Sequence, residues 1–141
     1  MTIQEKQDII IEEFSVFDDW FDKYALIIEY ANKLKPLDEK KKTPQNIIEG
    51  CQSRVWIDAS LNEKGQVVFV GDSDAVIVRG ILALLLYVLS EHTPQEIIES
   101  ELYFIEKIGL KEHLSPTRSN GLVAMMKQLK LYSIAFSSKK G

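Results

Sequence analysis

Val55-Trp56-Ile57-Asp58-Ala59-Ser60-Leu61, then Asn62-Glu63-Lys64-Gly65, then Gln66-Val67-Val68-Phe69-Val70, is the stretch that decides the fold. In the first run Val55, Ile57, Ala59 and Leu61 alternate with Trp56, Asp58 and Ser60, the period of two that marks a half-buried strand. Asn62 to Gly65 is a turn, with Gly65 suited to the left-handed conformation that closes a bulged hairpin. The residues from Gln66 to Val70 are the return strand. Gly71-Asp72-Ser73-Asp74 then switches the period from 2 to 3.6, and Ser73 or Asp74 is placed to cap an apolar helix over 75–90. Gly80 lies inside that helix, where close packing against a neighbouring backbone would account for it.

Upstream of the hairpin the pattern is helical. Thr2 and Glu5 have capping-box spacing, and Ile3, Gln7, Ile10, Phe14 and Phe17 follow on one face. Asp18 and Asp19 break and recap the chain, and a second helix carries Trp20, Tyr24, Ile27, Ile28, Ala31 and Leu34 until Pro36 stops it. The polar segment 35–43 reads as a loop, and Lys40-Lys41-Lys42 within it as a solvated turn. Downstream, Thr93-Pro94-Gln95-Glu96 is a full helix-start signal, Gly109 ends the helical stretch that follows, and Ser115-Pro116 opens a last helix. His92, in the intervening loop, is expected in solvent. The order ααββααα, with helices in runs and no βαβ alternation, predicts an α+β domain of four to five helices on a small antiparallel sheet.

Size and composition agree with one domain over residues 1–141, with a frayed polar tail from about 136. The 141-residue chain is 45% hydrophobic and 27% charged, with a net charge of -4. That balance gives no electrostatic case for binding nucleic acid or an anionic membrane. The apolar run Ile81 to Leu89 is about half of what a membrane span needs. The first residues lack the basic-then-apolar layout of a secretory signal, so the cytoplasm is the expected location.

Cys51 is the single cysteine. It cannot form an internal disulfide or supply the several thiolates of a structural zinc or iron–sulfur site. Two readings remain: a passive buried residue, or a thiol that reacts one bond at a time. It sits in Gly50-Cys51-Gln52-Ser53-Arg54-Val55-Trp56, where Gly50 frees the backbone and Gln52 and Ser53 interrupt the apolar pattern. The start of one hairpin strand lies beside the end of the other, so the Cys51 segment and the Asp72–Asp74 turn should be neighbours. Two aspartates near a thiol oppose its ionisation unless a cation balances them. Arg118 is the candidate, since the first turn of a helix is an unfavourable place for a positive charge. It could form a surface ion pair, pair with Asp72 or Asp74, or face the thiolate. His113 could serve as a base toward Cys51 as in Cys-His hydrolases, or as a structural hydrogen-bonding group. Asp74 and Arg79 could act in docking or only in capping.

Three motifs, taken together, resemble the SufE family of sulfur acceptors and its close relative CsdE. They are the Gly50–Trp56 segment, Gly71-Asp72-Ser73-Asp74-Ala75-Val76-Ile77-Val78-Arg79-Gly80, and His113-Leu114-Ser115-Pro116-Thr117-Arg118-Ser119-Asn120-Gly121. The resemblance covers nearly the whole chain. It implies an α+β fold related to the U-type iron–sulfur scaffolds, with a sheet usually counted as three strands. It implies that Cys51 takes sulfane sulfur as a persulfide from a SufS- or CsdA-type cysteine desulfurase and passes it to a SufB-type iron–sulfur scaffold. Gln52, Ser53, Asp74, His113 and Arg118 are then supporting positions. The pyridoxal phosphate would belong to the desulfurase, leaving this chain without a cofactor, and a homodimer is consistent with the family. The competing readings are a cluster-assembling scaffold, a hydrolase using Cys51 and His113, and an adaptor with an inert Cys51.

Overall fold

A computed structural model describes residues 1–48 and 53–138. Cys51, Gly50 and Gln52 therefore lie outside the described residues, as do Glu49 and 139–141. Two helices precede the hairpin: α1 (Ile3–Ser15) and α2 (Trp20–Lys33). Thr2 and Glu5 form the capping box expected at the start of α1, and Asp19 caps α2 through the Phe21 amide. α1 ends before Phe17. The buried face of α1 includes Gln7, whose side chain donates to the Glu101 carbonyl and accepts from the Phe104 amide. A side chain of that kind satisfies backbone groups that would otherwise be stranded in the core.

The hairpin consists of β1 (Val55–Leu61) and β2 (Val67–Ser73), antiparallel, with Val55 opposite Ser73 and Leu61 opposite Val67. Gly65 takes the positive φ, 75°, that the turn requires. Single β-bridges extend the sheet on both sides, Ile47 to Trp56 and Val67 to His92. Among the described residues, then, there are two strands and two bridges rather than three strands.

β2 runs three residues further than the return strand read over Gln66 to Val70, which changes the start of the next helix. α3 (Val76–Leu89) has Ala75 as its N-cap and no side-chain cap. Ser73 Oγ accepts only from the Ala75 amide, and Asp74 Oδ1 accepts from the Arg54 amide instead. The expected caps are drawn into the hairpin. α3 is buried nearly all round, from Ile81 to Leu89, and is the centre of the core. At Gly80 a Cβ would fall well inside contact distance of the Ile27 carbonyl oxygen, which explains the glycine: α2 and α3 cross backbone to backbone there.

The remaining helices are α4 (Pro94–Glu99), α5 (Phe104–Lys107) and α6 (Pro116–Ser138), making six among the described residues. The extra element arises because the stretch up to Gly109 is broken at Ser100 into two short helices. α4 opens with the Thr93–Glu96 capping box. Its C-terminal carbonyls, of Ile97 and Ile98, accept from Lys130 Nζ of α6, which also reaches the Ser100 carbonyl. α6 continues through Ser138, so residues 136–138, counted in the expected tail, are helical.

His92 is the clearest departure from expectation. It is 4% exposed, bridged to Val67, with Nδ1 at the Ser90 carbonyl and Nε2 at the Met1 carbonyl. No helix among the described residues is long and apolar enough to cross a membrane.

Candidate functional site

The hairpin register brings the ends of β1 and β2 together, and the first two motifs with them. The Asp74 amide donates to the Arg54 carbonyl at 3.2 Å, and the Arg54 amide donates to Asp74 Oδ1 at 3.0 Å. Asp74 is thus a two-point clamp on the residue that begins β1. On the other side of residues 49–52, the Ile48 amide donates to the Val55 carbonyl at 2.9 Å. Both chain ends that flank Cys51 are therefore anchored to the same end of the sheet.

Ser53 opens onto a cleft of about 430 Å³ between α3 and α6. Its apolar floor is Val78, Ile81 and Met125, all buried, and its rim carries Ser115 and Arg118, both exposed. The third motif thus meets the first across this cleft. Among the described residues lining it, Arg118 is the one charged group, and it makes no ion pair with a described carboxylate. Of the alternatives open for Arg118, pairing with Asp72 or Asp74 is not formed.

Asp72 has other partners. Its carboxylate is 8% exposed and lies 3.4 Å from Arg79 Nε and 3.7 Å from Lys42 Nζ, and it accepts from the amides of Leu37 and Ser73. Arg79 also donates from Nη2 to the Leu34 carbonyl at 2.7 Å. Lys42 completes this set by lying over the Trp56 ring, 5.4 Å from its centroid. The Lys40–Lys42 run is consequently more than a solvated turn. Residues 39–41 form one turn of 3₁₀ helix, Lys41 pairs with Asp58, and Lys42 ties the segment to the hairpin. Asp72 is the buried member of the set and its two cations are partly exposed, so removing both cations would leave a buried carboxylate uncompensated. From the sequence Asp72 reads as a cap or a partner of Arg118 and Arg79 as a docking or capping residue, while Lys42 carries no local signal because its partners are some 14 and 30 residues away.

His113 is placed elsewhere. Its ring stacks on Trp20 with centroids 3.9 Å apart and planes 16° from parallel, and Nδ1 lies 3.0 Å from the Gly109 carbonyl. Its own carbonyl accepts from the Tyr24 hydroxyl. These contacts join α2 to the loop before α6. No histidine is among the described residues lining the Ser53–Arg118 cleft. Nor does any group of three or more His, Cys, Asp and Glu among the described residues have metal-binding geometry.

What the arrangement offers is a small, half-polar cleft with one cation at its mouth, next to the anchored ends of the Cys51 segment. An exposed guanidinium can attract a thiolate or a second protein's anionic group at short range, weakened by salt. Comparison with known proteins identifies the fold and the family. The solution structure of a hypothetical protein from Thermus thermophilus superposes with a TM-score of 0.77 at 22% identity, covering 94% of this chain and 96% of that one. At that identity the likeness is one of fold. The family model described as "SufE: Fe-S metabolism associated domain" matches residues 8–133, which include all three motifs. The chain belongs to the SufE family, whose domain is associated with iron–sulfur metabolism.

Proposed function

We propose that this protein accepts sulfane sulfur from a pyridoxal-phosphate cysteine desulfurase as a persulfide on Cys51 and delivers it to an iron–sulfur scaffold. The observation that carries the reading is the family match over 8–133, which spans the chain's single cysteine and the residues on both sides of it. Sulfur transfer is thiol exchange. The Cys51 thiolate attacks the terminal sulfur of the partner's cysteine persulfide, the bond between that sulfur and the partner's cysteine sulfur breaks, and the partner's cysteine leaves as a thiolate. The sulfur arrives at the sulfane level and stays there, so no net oxidant or reductant is consumed. The same exchange, with Cys51 now the leaving group, unloads the carrier onto the next acceptor.

A single thiol suits that role. A second cysteine nearby would attack the loaded persulfide, form a disulfide and release sulfide. Arg118 would favour the anionic sulfur on either side of the exchange, and Asp74 would hold the base of the hairpin from which the Cys51 segment departs. Ser53 contributes a small side chain at the cleft rim. The cofactor chemistry belongs to the desulfurase in this reading.

Intact-mass measurement after incubation with a SufS-type or CsdA-type desulfurase and cysteine is the test. The protein should gain the mass of one sulfur atom, removable by reductant, and Cys51→Ser should gain none while keeping its fold. A sulfur adduct that persists on Cys51→Ser, or none on the native protein, rejects the reading.

A further inference from the structure

Separate from the Ser53–Arg118 cleft there is a second recess that the sulfur-acceptor reading leaves unused. It runs along β2 between α3, α2 and the segment 35–41, and encloses about 790 Å³. Its floor is apolar, with Leu34, Phe69, Ala83 and Leu86. Gly71 lies at its base.

The backbone of β2 gives the recess its specific character. The amide of Asn62 donates to the carbonyl of Gln66, and the amide of Asp74 to the carbonyl of Arg54. These pairs sit at the two ends of one register, so the even-numbered residues of β2 bond to β1 and the odd-numbered ones face away. The contacts on the outer side fit: the Val67 amide donates to the His92 carbonyl and the Phe69 amide to Ser90 Oγ. The next outward groups are the Phe69 carbonyl and both the amide and the carbonyl of Gly71. None of these three has a partner on that side among the described residues. Buried backbone groups are nearly always paired, so an unpaired set lining a recess is a place where another chain can bond.

Charge narrows what that chain would be. Lys33, Lys35 and Lys41 border the recess, facing two carboxylates, Glu13 and Asp38. Glu13 accepts the Tyr30 hydroxyl, and Asp38 accepts the Lys40 amide. Lys33 and Lys35 are exposed and make no ion pair with a described carboxylate, in a chain whose net charge is -4. The edge is also recessed, so the same edge of a folded second copy would meet it concave to concave.

We propose that the β2 edge at Phe69–Gly71 is a docking site for an extended, acidic segment of a partner protein. The segment adds as a strand. Its alternate apolar side chains enter the floor between Phe69 and Leu86, and its acidic ones meet Lys33 and Lys35. Gly71 has a packing reason of its own: a Cβ there would meet the Trp56 carbonyl oxygen of β1 at 2.7 Å and the Leu82 side chain of α3 at 3.0 Å, on the core side of the strand.

The probe is a capped peptide of about seven residues alternating valine and glutamate, titrated into the ¹⁵N-labelled full chain and followed by amide NMR. The Phe69 and Gly71 amides should shift in a saturable way, and solvent exchange at Gly71 should slow by at least about tenfold, as a newly formed hydrogen bond requires. Lys33→Glu with Lys35→Glu, both at exposed positions, should weaken binding about tenfold or more. A peptide N-methylated at alternate residues should lose binding on the native protein to a similar degree, because it cannot donate to the edge. Three results would overturn the proposal. One is no response at Gly71 at millimolar peptide. Another is equal binding of the N-methylated peptide, meaning that the recess takes side chains alone. The last is a shift at Gly71 produced by concentrating the protein without peptide, meaning that a second copy covers the edge.

Discussion

Gly80 shows how much one missing methyl group decides. In an isolated helix, alanine would be favoured over glycine there by roughly 1 kcal/mol. Here the added Cβ would also meet the Ile27 carbonyl carbon at 3.0 Å and the carbonyl oxygen closer still, and backbone cannot swing aside as a flexible side chain does. Overpacking of a close helix crossing costs about 1–3 kcal/mol or more and wins over the propensity gain. Gly80→Ala should therefore lower the unfolding free energy in urea; an unchanged or higher midpoint would show that α2 and α3 can separate without loss. The need for glycine was legible in the sequence as an apolar helix carrying an otherwise costly residue. Its partner was not, because Ile27 is 53 positions away and nothing local names it. Gln7 was legible in the opposite sense. Its place on the apolar face of α1 was visible, while its reason, the backbone groups of Glu101 and Phe104, exists only in the folded chain.

Among the elements, those defined by local chemistry follow their sequence signals closely. The hairpin, the Gly65 turn and both capping boxes occur where period and spacing indicate, since their partners lie within a few residues. Two departures share one cause: residues with good local roles were recruited by groups elsewhere in the chain. Asp74 could cap α3 but clamps Arg54, and His92 could face water but joins Met1 and Ser90. The α4 capping box carries a pH signature. Hydrogen bonds from the Thr93 backbone, and then from its side chain, hold the Glu96 carboxyl below its ordinary value of 4.5. A carboxylate whose folded-state affinity for protons is reduced contributes stability that is complete above that value and disappears as pH falls through the lowered one. Acidification from about pH 5 to about pH 3 should therefore cost the native protein more stability than Glu96→Gln, which keeps the reciprocal hydrogen bonds without a titrating charge. Melting temperatures measured for both proteins across that range check it, and parallel losses would assign the acid sensitivity to other carboxylates.

On the scale of the whole molecule, the hairpin register and the α3–α6 packing do what no single motif can: they gather three separate sequence segments around one cleft. The neighbourhood of the Arg54 and Asp72–Asp74 segments follows from strand pairing and was legible. The sequence singles out Arg118 as a candidate cation for the Cys51 segment, but the packing of α6 across α3 that brings it to the Ser53 cleft has no local signal, and the sequence places His113 among the same candidates although its ring faces Trp20. Arg118 has an exposed side chain at the cleft mouth and no described carboxylate to neutralise it, so the field it exerts is available to whatever anionic group enters. If that group is the sulfur of the exchange at Cys51, removing the guanidinium should slow the transfer step and leave docking largely intact. Arg118→Ala is then expected to reduce the rate of sulfur acceptance at saturating desulfurase by about tenfold, equivalent to ~1.4 kcal/mol of transition-state stabilisation, with a smaller change in Kd. Arg118→Lys should recover part of the rate, because the charge remains while the planar fork is lost. The native advantage over Arg118→Ala should also shrink as salt rises toward about 1 M, where the screening length falls to roughly 3 Å. Single-turnover transfer rates and binding isotherms on the same three proteins separate the alternatives. A native transfer rate in Arg118→Ala would remove Arg118 from the reaction, and a loss confined to Kd would make it a docking contact.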